Sequence, residues 1–410
     1  MKNSGLKFFE LLSPKSERDN IKLGLSRIKK TLQELGNPCN NIPAIQIIGT
    51  NGKGSIAAYL ESILFEAKKN FGVTTSPHLF EVYERIRVNK KNINKTDFEK
   101  IYRLIEEQFS TFELTPFEKI ICCALIFFDN EKVELLVLEA GLGGRLDATT
   151  AHKSRPIIAI GNIGLDHKEF LGDTIEKIAM EKLAVIERNS FVISCTQNSQ
   201  VEKLINKKVE EVGATIIWKD SIPPSYELGL KGIFQEQNAS VAVGAIEALN
   251  NLGFNIKKKH ISEGLKKTAW KGRLEIINYF NKEILVDCAH NYPAAKALSN
   301  ERSNWENEDE GIYWILGVQR QKDIYAILKT LLKKNDHLLL VPVPNQPSWQ
   351  LKNLSEIKEI DFKQIIEFKT FELAIEYLFS LEKWPPNHPV LTGSIFLVAE
   401  FIKFANKQKY

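Results

Sequence analysis

At 410 residues, with 43% hydrophobic and 26% charged side chains, the chain has the make-up of a globular protein long enough for two cores. Its 55 basic and 51 acidic residues leave a formal net charge of +4, too even a balance for a general polyanion binder. The lysine runs at 257–259 and 266–267 carry no interleaved aromatics, which sets a nucleic-acid role aside, and no stretch approaches the roughly 20 apolar residues that cross a bilayer.

In chain order, residues 1–43 are helical in pattern, with Ile21, Leu23, Leu25, Ile28, Leu32 and Leu35 as an apolar stripe that Gly36-Asn37-Pro38 ends. Residues 45–48 read as a short buried strand and 56–69 as a helix. Between them lies Gly49-Thr50-Asn51-Gly52-Lys53-Gly54-Ser55. Strand, glycine-rich turn and helix together make a phosphate cradle: backbone N–H groups approach the oxygens, the helix N-terminus adds positive potential, and Lys53 adds a full charge. The strict pattern wants glycine at 47 and Ser or Thr at 54. Ile47 and Gly54 stand there instead, so this is a variant loop with its hydroxyl displaced to Ser55. The plainer reading is a glycine-rich turn with a surface lysine.

Residues 71–75 read as the next strand, ending in Ser76-Pro77-His78-Leu79, a loop of the kind that α/β sheets use for ligand groups. Helices follow at 96–109 and 116–128. A buried strand at 133–138 runs into Glu139 and a glycine-rich stretch to Asp147. Strand 157–160, a loop with Asp166-His167, helix 174–187 and strand 191–194 continue the alternation, which argues for a mainly parallel sheet flanked by helices. Near Trp270-Lys271-Gly272-Arg273 the pattern resets. Strands at 284–286, 312–316, 338–341 and 390–391, with helices at 323–334 and 395–405, form a second α/β series. The expected division is a phosphate-loop unit over 1–270, a hinge at 271–273 and a smaller unit over 274–410. Five cysteines without metal-ligand spacing, and no basic-then-apolar leader, point to reduced core thiols in a cytoplasmic protein.

Several side chains look chemical. Glu139, at a strand end opposite the phosphate loop, suits Mg²⁺ on a bound triphosphate, or caps a turn. Lys182 falls on the inward stripe of its helix with Ile175, Ile178, Ala179, Leu183 and Ile186. A buried ammonium must be paired, neutralised or modified, and a neutral amine reacts with CO₂ to a carbamate that could serve a metal. The alternative is a lysine snorkelling at the stripe's edge. Asp287-Cys288-Ala289-His290-Asn291, at the end of a strand, suits phosphate contact or a helix cap. Arg273 suits a phosphate clamp.

Taken together, these blocks resemble the folylpolyglutamate synthase and dihydrofolate synthase family of the Mur ligase superfamily. The matching stretches span nearly the whole chain. They are Leu23-Gly24-Leu25-Ser26-Arg27-Ile28, Leu35-Gly36-Asn37-Pro38, 49–55, Thr75-Ser76-Pro77-His78-Leu79, Glu84-Arg85-Ile86-Arg87-Val88-Asn89, Thr115-Pro116-Phe117-Glu118, 139–148, Leu165-Asp166-His167, Leu171-Gly172 and Ile178-Ala179-Met180-Glu181-Lys182. Gln237-Asn238-Ala239, Trp270-Lys271-Gly272-Arg273-Leu274-Glu275, 287–291 and Thr392-Gly393-Ser394 complete the series.

The resemblance implies an α/β protein with a P-loop Mur-ligase-type domain and a smaller C-terminal Rossmann-like α/β domain. It assigns ATP to Gly49, Thr50, Asn51, Gly52, Lys53, Gly54, Ser55, Asn238, Arg273 and Asp287. It assigns Mg²⁺ to Ser76, Glu139 and His167, and a second metal to a carbamylated Lys182. Lys53, Lys182 and His290 would serve catalysis, His290 beside the reacting phosphate. Thr115, Pro116, Phe117, Glu118, Leu146, Asp147 and Ala148 would line a pterin site. Departures from the family pattern are Leu183-Ala184 for Ala-Gly, Cys288 for glycine and Gln321 for aspartate.

The implied reaction joins L-glutamate to dihydropteroate, a reduced folate or both through an acyl phosphate, by a monomer, and the bifunctional form is favoured. The alternatives are a monofunctional folylpolyglutamate synthase, a muramyl-type ligase, a kinase and a non-catalytic ATP-binding regulator. The muramyl-type reading needs an extra N-terminal uridine-binding domain, for which the residues before the first strand leave no room. The regulator reading expects lost ligands, and all of them are present.

Overall fold

Where a strand is covered by helices on both faces, every side chain on it is buried, and uninterrupted apolar runs are the result. The computed structural model describes residues 21–304 and 310–407, and the helical pattern expected over 1–20 lies outside them. Its contacts divide the chain into two units. The first comprises the chain up to Gly229 with Gln235–Ala269, and the second comprises Leu230–Phe234 with Trp270–Tyr410. Residues 230–234 thus group with the second unit, although they stand before the expected hinge in sequence.

In the first unit, β1 (Ala44–Ile48), β2 (Phe71–Thr74), β3 (Ile86–Val88), β4 (Lys91–Asn92), β5 (Leu135–Glu139), β6 (Ile157–Ile160), β7 (Phe191–Ser194) and β8 (Thr215–Trp218) form one sheet. The order is β4-β3-β2-β5-β1-β6-β7-β8. From β2 to β8 all pairs are parallel, and β3 and β4 add an antiparallel edge. β1 and β5 are buried at every position. One apolar cluster joins Ile28, Phe98, Tyr102, Ile121 and Phe128 to Leu136 and Leu138 of β5. Another joins Ile158 and Ile160 of β6 to Ala179, Leu183 and Ile205. The sheet's register brings the C-terminal ends of β1, β2, β5 and β6 side by side, and Gly49, Thr75, Ala140 and Gly161 leave from them.

In the second unit, β9 (Glu275–Tyr279), β10 (Lys282–Val286), β11 (Tyr313–Leu316), β12 (His337–Leu340), β13 (Gln364–Glu367) and β14 (Val390–Thr392) order as β13-β12-β11-β14-β10-β9. Only β9 runs antiparallel, paired to β10 by the turn at Phe280-Asn281. Its core gathers Leu285, Trp314, Leu316, Ile327, Leu328 and Leu338. The buried Arg302 guanidinium grips Asp336 through Nη1 and Nη2 at 2.8 and 2.9 Å.

All five cysteines are buried, unpaired thiols. Burial pushes Cys39 and Cys288 up to about 12 and Cys195 up to about 11. No helix among the described residues is long and apolar enough to cross a membrane.

Candidate active site

β1 delivers the chain into the glycine-rich loop, and the backbone at Gly49 and Gly52 leaves no room for a side chain. Gly52 has φ +86, and a Cβ on it would stand 2.3 Å from Asn238 Oδ1. Gly49 has φ +145 and faces the Gly161 backbone, with a Cβ position 3.0 Å from its Cα. The helix that follows, Lys53–Glu66, starts directly on this loop, so its first N–H groups have no intrahelical partner and are available to an anion. Ser55 Oγ accepts from Gln235 Nε2 at 3.3 Å, and Gln235 Oε1 accepts from Asn238 Nδ2 at 3.0 Å. Gln235 lies in no motif of the chain; the readable signal is an amide on a helix, Phe234–Asn251, whose neighbouring side chains are almost all buried.

Two lysines meet on one oxygen. Lys53 Nζ donates to the Gly49 carbonyl at 3.1 Å and Lys182 Nζ donates to the same carbonyl at 2.9 Å. Lys182 is 4% exposed, so the inward placement expected from its helix holds and the snorkelling alternative does not. Burial first, and the Lys53 charge second, lower its amine to about 7, against the pull of Asp166 and Asp147. Near neutral pH, much of this amine is therefore unprotonated and nucleophilic.

Glu139 ends β5 and is 4% exposed. Its Oε2 accepts the Ser76 N–H at 3.0 Å, which brings these two expected metal residues together. His167 begins a short helix with φ +51, its Nε2 lying 3.8 Å from Asp166 Oδ2. Among the described residues, no three His, Cys, Asp or Glu side chains gather as a ready metal cage. A hard cation that takes one or two protein oxygens and completes its shell with phosphate and water fits this donor set, and a soft or all-protein site does not.

Thr115 and Glu118 form a capping box at the start of helix Pro116–Asn130: Thr115 Oγ1 accepts the Glu118 N–H, and Glu118 Oε2 accepts the Thr115 N–H. Glu118 also accepts from Arg27 Nε at 3.2 Å. The Phe117 ring lies so close to Gly141 that a Cβ there would meet it at 2.7 Å. This contact joins the 115–118 and 139–148 stretches. Asp147 turns inward. Its Oδ2 accepts the Leu142 N–H at 2.9 Å, and its Oδ1 accepts the Thr149 N–H and hydroxyl at 3.0 and 2.6 Å. Desolvation raises its carboxyl above the ordinary value. In this arrangement the Asp147 side chain ties its own loop, while Leu146 and Ala148 flank it.

In the second unit, Asp287 closes a turn after β10. Its Oδ2 accepts the Leu274 N–H at 3.0 Å and its Oδ1 the Ala289 N–H at 2.8 Å. Burial raises its carboxyl and the neighbouring Arg273 opposes that. His290 Nδ1 donates to the Cys288 carbonyl at 2.8 Å, which puts a proton on that nitrogen. Asn291 caps helix Tyr292–Asn300 by accepting the Ala294 N–H at 3.0 Å. Cys288 fills the space beside Gly272, where an added Cβ would meet its Sγ at 2.8 Å.

The family described as dihydrofolate synthetase, C-terminal domain, matches residues 273–404. The dihydrofolate synthetase of Saccharomyces cerevisiae is 31% identical over 94% of this chain and 98% of its own length. The dihydrofolate synthase/folylpolyglutamate synthase of Buchnera aphidicola subsp. Acyrthosiphon pisum is 30% identical over 92% of this chain and 93% of its own. Among solved structures, the bifunctional folylpolyglutamate synthase/dihydrofolate synthase of Yersinia pestis, complexed with AMPPNP and a Mn ion, matches with a TM-score of 0.83 and 25% identity, covering 98% of this chain and 97% of that one.

Proposed function

This chain belongs to the dihydrofolate synthase and folylpolyglutamate synthase family, and from that premise we propose that it is an ATP-dependent ligase joining L-glutamate to the carboxylate of dihydropteroate. Dihydrofolate synthesis is the activity common to both relatives' names. The observation that carries the ligase reading is the meeting of Lys53 and Lys182 on the Gly49 carbonyl. The charged Lys53 at a helix N-terminus calls for a bound polyanion, which a nucleotide triphosphate supplies, and the Lys182 amine held beside it on the same loop oxygen, largely uncharged near neutral pH, is free to be modified.

In this reading, the acceptor carboxylate attacks the γ-phosphorus of ATP, ADP leaves, and an acyl phosphate forms. The glutamate amine then attacks the acyl carbon, and phosphate leaves with the former carboxylate oxygen. Activation is needed because a free carboxylate is a poor electrophile. The loop N–H groups and Lys53 hold the phosphates and offset their charge. Ser76, Glu139 and His167 would hold Mg²⁺, which would supply charge neutralisation on the phosphate oxygens. Lys182, once its neutral amine has added to CO₂ and lost a proton, offers an anionic carbamate to a second metal. Asn238, Arg273 and Asp287 are proposed nucleotide contacts, and His290 a group beside the transferred phosphate. Thr115, Pro116, Phe117, Glu118, Leu146, Asp147 and Ala148 are proposed to line the pterin site, Asp147 and Glu118 by shaping it from within. Five buried thiols agree with work in the cytoplasm, and a monomer is the assembly proposed.

The test is phosphate release from Mg·ATP and L-glutamate, with dihydropteroate and with tetrahydrofolate as acceptors and products identified by mass. Glutamate-dependent turnover of dihydropteroate is expected. Absence of turnover with either acceptor, in protein that binds ATP, would overturn the reading. Turnover of tetrahydrofolate as well would add the folylpolyglutamate activity, a second reading that the name of the Buchnera aphidicola relative favours.

A further inference from the structure

The stretch Glu84-Arg85-Ile86-Arg87 carries charges into a buried strand, and nothing in the reaction uses them. Arg87, on β3, is 6% exposed, and Glu61, on the helix that begins at the phosphate loop, is equally buried. The two form a forked pair: Arg87 Nε donates to Glu61 Oε1 at 2.8 Å and Nη2 donates to Oε2 at 2.9 Å. The remaining nitrogen, Nη1, donates to Thr75 Oγ1 at 2.9 Å and to the Glu84 carbonyl. Thr75 is the last residue before Ser76, whose N–H meets Glu139. One planar guanidinium therefore spans two parts of the site. Its first anchor sits on a rigid helix about 9 Å along the axis from Ser55, at 1.5 Å per residue. Its second is the residue that launches the Ser76 loop.

The loop is held from its other end as well. The Glu84 carboxylate collects the N–H groups of Leu79, Phe80 and Glu81 at 2.9, 2.9 and 2.8 Å. Arg85 Nε donates to His78 Nδ1 at 2.9 Å. Glu84 and Arg85 fold the loop upon itself, whereas Arg87 ties it to the phosphate-loop helix. A buried ion pair of this kind seldom adds stability beyond what an apolar pair would give, but its fork fixes direction and distance.

We propose that Arg87 is a positioning residue: by bridging Glu61 and Thr75 it sets Ser76 against Glu139 and so fixes the metal side of the nucleotide site relative to the phosphate loop. The proposal rests on the ligase reading for its metal, and its test separates the two. Arg87→Met would leave Glu61 charged, buried and alone, and could unfold the chain. Thr75→Val keeps the shape and the ion pair and removes only the hydroxyl link, and Thr75→Ser restores it. AMPPNP binding is measured by calorimetry with Mn²⁺ and with EDTA, and amide hydrogen exchange is followed over the segment holding Ser76.

For Thr75→Val the expected result is a loss of about 10-fold in Mn²⁺-dependent binding, the scale on which groups that orient metal ligands act. Metal-free binding should be unchanged and exchange at Ser76 faster, with both effects reversed in Thr75→Ser. Equal losses with and without metal, or unchanged exchange at Ser76, would overturn the positioning role. A wild-type chain showing no gain from Mn²⁺ would sink the metal-dependent ligase reading, and the exchange comparison would still decide whether the bridge holds Ser76.

Discussion

The Lys182 amine sits where carrying a charge is costly, and this gives the folded chain a pH signature. Its folded value is about 7, against 10.5 for an exposed lysine. Below pH 7 both folded and unfolded chains hold the proton, and the full cost of the buried charge is paid. Between 7 and 10.5 the unfolded chain binds more protons, so stability rises with pH across that window, by up to about 1.4 kcal/mol per unit from this group. Urea unfolding in CO₂-free buffer should show that slope, and Lys182→Met should lack it. The same variant should lose ligase turnover. Gly52 offers a second test. With φ +86 and Asn238 Oδ1 at the Cβ position, Gly52→Ala should weaken nucleotide binding in calorimetry. The left-handed backbone alone costs a non-glycine residue there roughly 1 kcal/mol or more.

Among the elements, the Thr115–Glu118 box joins stability to the proposed acceptor site. Thr115→Ala should cost about 1 kcal/mol in urea unfolding and raise the acceptor KM, while Thr115→Ser should do neither. The strands that hold the site were readable because each is a short apolar run: the reading at 157–160 and 191–194 agrees with β6 and β7. The phosphate loop was readable because its chemistry is local. Other elements were not. Helix Phe234–Asn251 is buried on nearly every side, so it shows no polar face to set a period. β4 is two exposed residues, and β9 pairs only at an edge. Within 21–43, the described part of the 1–43 pattern, the helix covers only Ser26–Glu34, bracketed by Gly24 and Gly36 at positive φ. Helix Lys53–Glu66 begins three residues before its apolar stripe because the glycine loop itself supplies the first turn. The site contacts that escaped the sequence, Gln235 to Ser55 and Arg87 to Glu61, join residues far apart in the chain, where local periodicity carries no information.

For the molecule as a whole, two separate cores mean that stability can be probed unit by unit. In the second, Asp336 is fully buried and accepts from Arg302, the Ile312 N–H, Trp314 Nε1 and the Lys333 N–H. Asp336→Ala removes the carboxylate that balances the buried Arg302 guanidinium and should cost about 3–5 kcal/mol. Hydrogen exchange should accelerate over 312–340 and stay unchanged over 44–60. The five thiols, hidden and held in their protonated form, have a practical corollary. Native protein should be nearly silent toward maleimides, which attack only exposed thiolates. A cysteine placed on the surface of each unit would then take the dye alone, turning the chain into its own ruler for fluorescence measurements of motion during turnover.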